Sequence, residues 1–183
     1  MSSGRKQTRD TESITFRLDR QTLNKLRHEA AQKDVSINTL VSQIFKRHGE
    51  WHSNAAKAGF ISVRKGFLTR LMEKLSEQEV SSISEEIAKK ETKDFVLLLR
   101  NEYSLEAALG VIECWIIISG FPFRHENTDT IHSYVVQHEM GRKMSNYLAE
   151  LYRNLFLEFF LKKVYFDLTD NAISFVVDLN KET

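Results

Sequence analysis

One proline, one cysteine and seven glycines are all that this 183-residue chain contains of the residue types that break or cross-link a backbone. A lone cysteine, Cys114, leaves no internal disulfide, which suits a reducing cytoplasm. Scarce proline and glycine imply long regular elements with few enforced turns. No apolar run reaches the roughly 18 residues that a membrane span needs. The N-terminus carries charges but no apolar stretch of the kind a secretory signal has. The sequence also lacks a Gly-rich phosphate loop, a nucleophile elbow and a His-Glu-x-x-His pattern, so neither catalysis nor a cofactor is expected. These absences point to a cytoplasmic protein that works without a membrane.

What is present is enough apolar material, 42% of residues, for one or two domains with a real core. The formal net charge of +1 conceals an asymmetry. Residues 1–50 hold ten Lys/Arg against six Asp/Glu, a balance of +4, whereas residues 51–183 balance to −3. Phosphates would be drawn to the first of these segments.

That basic segment contains Ser13-Ile14-Thr15-Phe16-Arg17-Leu18, in which polar and apolar residues alternate with the period of a half-buried strand. Helix signals follow at once, and no second strand lies nearby to pair with it. An unpaired strand leaves its N–H and C=O groups unsatisfied, so the expected partner is the same segment of a second copy, antiparallel about a two-fold axis. Such a ribbon would bury Ile14, Phe16 and Leu18 and present Ser13, Thr15 and Arg17 outward. A two-stranded ribbon fits the DNA major groove, where Thr and Arg can read base edges.

Residues 12–48 resemble the ribbon-helix-helix family of DNA-binding proteins, the CopG, MetJ and Arc group. Thr15-Phe16-Arg17-Leu18-Asp19 matches the strand and cap; Leu23, Leu26 and Ala30 match the core face of the first helix. Asp34-Val35-Ser36 matches the turn, and Leu40, Val41, Ile44 and Phe45 the core of the second helix. Many members carry glycine where Asp34 stands, and Asp tolerates the left-handed conformation better than most residues. The resemblance implies a homodimer on double-stranded DNA, with Ser13, Thr15 and Arg17 reading bases. Phosphates would sit at the start of the second helix, on Ser36, Ile37, Asn38 and Thr39, where free backbone N–H groups meet the positive dipole end. Asp19 and Ser36 are the expected helix caps. Residues 1–11 lack periodicity and read as a disordered basic arm, with Arg5, Lys6 and Arg9 able to lie along phosphates.

The second helix shows no clear stop before Gly59, so the domain boundary is expected there: 12–58 for the ribbon-helix-helix, 59–183 for the rest. Helical spacing recurs over Phe67–Leu75, over the capping box Ser76–Glu79 and its sequel, over Lys93–Arg100, and over Leu105–Ile118, whose apolar residues surround the axis. Thr130–His138 reads as a strand, an amphipathic helix begins near Ser145, and strands Val164–Thr169 and Ala172–Leu179 flank a hairpin turn at Asp170-Asn171. The C-terminal part is thus expected to be α+β, with a small antiparallel sheet packed on helices. Its role would be to strengthen dimers, build tetramers or sense a small-molecule effector.

His125, His132, His138, Cys114 and Glu139 invite a metal reading. His132 and His138, however, would be roughly 20 Å apart on one strand, and no metal is expected. Gly141-Arg142-Lys143 reads as a plain strand-to-helix turn or a small anion site. Trp51, Phe121, Phe123 and Tyr147 are pocket candidates or core. The expected function is a dimeric, sequence-specific transcriptional regulator; the alternative is an antitoxin-like interaction module with autoregulatory DNA binding.

Overall fold

Asp19 starts the first helix by accepting a hydrogen bond from the Thr22 N–H at 2.9 Å, and α1 spans Arg20–Gln32. It ends in a Schellman turn: Val35 N–H bonds the Ala30 carbonyl at 3.0 Å, Asp34 N–H bonds Ala31, and Asp34 takes a positive φ of 51°. Ser36 then caps α2, Ile37–Arg47, by accepting from the Thr39 N–H at 3.0 Å. The α1 face of Leu23, Leu26 and Ala30 turns inward with Leu40 and Val41 of α2. The computed structural model describes residues 12–128, 130–162 and 164–179, with the backbone alone for Glu158; the expected arm, including Arg5, Lys6 and Arg9, lies outside these.

The chain forms two compact units, residues 1–45 and 46–183, dividing near the end of α2. The expected boundary lay near residue 59. Beyond α2 the helical path continues through a π-turn, His48–His52, into the single turn α3, Ser53–Ala55. Gly59, at φ 81°, stops it, as its freedom from a Cβ allows.

Residues 12–19 form no strand, and among the described residues the first strand begins at Phe123. A strand is a hydrogen-bonded ladder, and the expected ladder partner was another molecule. Among the described residues nothing pairs with residues 13–18.

The second unit is α+β. Helices α4 (Lys65–Lys74), α5 (Glu77–Lys90), α6 (Thr92–Arg100) and α7 (Leu105–Ile118) precede β1 (Phe123–Thr128) and β2 (Ile131–Gln137). Helix α8 (Arg142–Phe160) then leads to β3 (Tyr165–Leu168) and β4 (Ala172–Asp178). All pairings are antiparallel, in the order β1-β2-β4-β3. The capping box at Ser76 and Glu79 and the Ser104 cap form as expected. Strand β1 was not expected. It is an edge strand, and Arg124, Glu126, Asn127 and Thr128 are exposed, so it carries no apolar alternation for a sequence reading to find.

One face of the sheet presents Tyr134, Val136, Ile173, Phe175 and Val177 to Met144, Leu148, Tyr152, Leu155 and Phe156 of α8 in a single core cluster. Alternation along β2 and β4 places those residues on one side; the 3.6-residue period of α8 supplies the matching stripe. Lys143 fastens the start of α8 to the end of α4, donating to the Glu73 carbonyl at 3.0 Å and to that of Leu75. Those carbonyls lack helical partners, and an ammonium is the group that suits them.

Candidate nucleic-acid interface

Ser13, Thr15 and Arg17 are exposed, as the alternation demands of outward positions, but so are the intervening apolar residues. Ile14 is 74% exposed, Phe16 50% and Leu18 49%. Phe16 lies with its ring 5.3 Å from that of Phe45, itself 51% exposed. Next to it on α2, Ile44 is also exposed, so two residues expected in the core lie at the surface. Among the described residues of this unit only Ala30 and Leu40 are buried. A segment of this size with two buried side chains falls well short of the core that an independent fold requires.

Arg17 forms no ion pair or hydrogen bond among the described residues, so its guanidinium is open to a ligand. At the start of α2 the Ser36 hydroxyl is engaged: it accepts from Thr39 N–H and lies 2.8 Å from the Thr39 hydroxyl. The first-turn N–H groups of Ile37 and Asn38 have no acceptor among the described residues. Ser13, Thr15 and Arg17 and the start of α2 belong to the same compact unit.

The other sequence candidates fall into different places. His125 and His132 meet across β1 and β2, with ring nitrogens 3.0 Å apart; Glu113 lies 3.8 Å from His125. Burial, then the neighbouring His125, lowers the His132 pKa. Among the described residues no group of three or more His, Cys, Asp or Glu side chains is placed to hold a metal ion. Cys114 is buried beside Trp51 and Ala55, and burial pushes its thiol pKa up. Arg142 donates to the Leu168 carbonyl at 2.6 Å and Lys143 to the end of α4, so both cations of the Gly141 turn are engaged in the fold.

His138 sits just past β2, fully buried. Its Nδ1 accepts the Met140 N–H at 3.1 Å, so the neutral ring must carry its proton on Nε2 and donate to the Ser145 hydroxyl at 2.9 Å. Ser145 in turn donates to the Thr169 carbonyl at 2.6 Å. Burial, reinforced by Lys65, lowers the His138 pKa to about 4. The unfolded chain therefore takes up a proton near pH 6.5 while the folded one refuses it until about pH 4. This contribution to stability is complete above pH 6.5 and drains away as the pH falls through that window, by no more than about 3 kcal/mol in all. Denaturant titrations at stepped pH should show this slope in the parent and a flatter one in His138→Gln.

A cavity of about 540 Å³ lies among α5, α6, α7 and α8, walled by Phe60, Phe95, Trp115, Tyr147 and Tyr152. Of the four pocket aromatics expected from sequence, only Tyr147 lines it; Trp51 is core, and Phe121 and Phe123 pack against the sheet cluster. Phe95, Trp115, Tyr147 and Tyr152 sit at ordinary helical spacing, and only the apposition of their helices with the segment at Phe60 makes them a wall. No protein-family model matches the chain, and no curated protein is significantly similar to it.

Among the described residues, no helix is long and apolar enough to cross a membrane.

Proposed function

We propose that this protein is a homodimeric, sequence-specific DNA-binding regulator of the ribbon-helix-helix kind, and not an enzyme. One observation carries the reading: residues 13–18 hold three large apolar side chains in the open, on a unit with almost no core of its own. A second copy pairing antiparallel along this segment satisfies both deficits at once. It completes the ladder and covers Ile14, Phe16, Leu18, Ile44 and Phe45. The supporting details are the two short helices with caps at Asp19 and Ser36, and the left-handed Asp34 in the turn between them.

In the dimer the outer face of the ribbon carries Ser13, Thr15 and Arg17 twice, related by the two-fold axis. The DNA site is then a pseudo-palindrome read in the major groove. Ile37 and Asn38 N–H groups, aided by the Asn38 and Thr39 side chains, hold flanking phosphates and set register without reading sequence. An antitoxin-like module would pair the DNA motif with a tail that wraps another protein. Residues 46–183 instead have a core of their own, which counts against that reading.

Arg17→Ala tests the assignment. With guanine as its bidentate partner, the substitution costs about 1–3 kcal/mol of specific affinity and relaxes one base position in each half-site. In-vitro selection of bound DNA with the parent and variant proteins gives both readouts. Unchanged affinity and an unchanged selected sequence would remove Arg17 from the reading set.

A further inference from the structure

We propose that the cavity of the second unit is a binding site for an organic cation with an apolar or aromatic body. It is independent of the DNA reading, since every residue it uses belongs to residues 46–183. Its volume of about 540 Å³ is that of a drug-sized ligand site. Tyr152, only 4% exposed, and the partly buried Tyr147 both line it. Neither hydroxyl has a hydrogen-bond partner among the described residues.

The charges at the mouth choose the sign of that ligand. Lys90 lines the site, but its ammonium is held by Glu86 at 2.7 Å. Lys57 is the other cation there. Glu91 and Asp94 also line the site and form no ion pair among the described residues, so with Glu86 counted beside Lys90 the carboxylates there outnumber the ammoniums by one. Phe60, Phe95 and Trp115 line it as well, and an aromatic face carries negative quadrupole surface that attracts a cation. Phe60 and Phe95 stack at 4.5 Å, and Trp51 braces both edge-on at 5.0 and 5.5 Å, giving that wall a set shape. Burial, then the Glu91 carboxylate, pushes the Tyr147 pKa up to about 12. Its hydroxyl stays neutral at physiological pH and adds no negative charge of its own.

Tetraphenylphosphonium and tetraphenylborate, alike in shape and opposite in charge, separate electrostatics from apolar fit. Calorimetric titration of the full chain without DNA should show one saturable site per chain, filled by the phosphonium at least tenfold more tightly than by the borate. The exposed pair Glu91→Gln and Asp94→Asn should erase that preference while leaving the fold intact. Leu98→Trp, at a lining position already 41% exposed, should block the site. Absence of saturable binding, a preference for the borate, or phosphonium binding unaffected by both variants would each overturn the proposal.

Discussion

Phe16→Asp is expected to yield a monomer that no longer binds DNA. In the proposed dimer each Phe16 is covered by the partner, and the two-fold axis makes every substitution count twice. Losing the burial of two phenyl rings removes about 1.5–3 kcal/mol apiece. Forcing two unpaired carboxylates into the same interface adds several more. The combined loss is on the order of 6 kcal/mol, roughly four decades in the dimer constant at 1.4 kcal/mol per decade. Light scattering reads the mass and a mobility shift reads the DNA. Thr15→Asp provides the contrast, because Thr15 would lie on the outward face of the proposed ribbon. It should retain the dimer and lose only the DNA. Equal loss of both properties in the two variants would contradict the assignment of faces.

A comparable effect of a different kind is expected from Phe175→Ala. Phe175 is 1% exposed and sits at the meeting point of four aromatic rings. Tyr134 stacks on it at 4.9 Å from the neighbouring strand, Phe166 lies 5.6 Å away on the other side, and Tyr152 and Phe156 approach from α8 at 5.5 and 6.3 Å. Truncation leaves a cavity that neither β2 nor β3 can close, since both are held in register by their ladders with β4. The loss should be about 3–5 kcal/mol, read as a shift of the denaturation midpoint at constant slope. At temperatures where the second unit still folds, DNA binding should survive, because Phe175 lies outside residues 1–45.

What the sequence displayed was local chemistry. Caps at Asp19, Ser36, Ser76 and Ser104 are decided within four residues of the backbone groups they satisfy, and all four form. The left-handed turn at Asp34 belongs to the same class. The strands β2, β3 and β4 announced themselves through alternation because each has one face in the core. Strand β1 did not, since an edge strand with polar residues has no buried stripe to betray it. Ile44 and Phe45 look like core by spacing and are exposed in the single chain, because spacing marks an apolar stripe without saying whether the same chain covers it. The cavity was illegible for a related reason. Phe60, Phe95, Trp115 and Tyr152 come from separate segments, and nothing in any one of them records the others.

Hydrogen exchange of the full chain tests the central claim most directly, followed at the backbone amides of residues 13–18. A ladder shared between two copies protects those amides at high protein concentration and releases them on dilution, while protection in β2 and β4 stays constant. Rapid exchange at 13–18 at every concentration would contradict the account, as would protection that persists in a monomer.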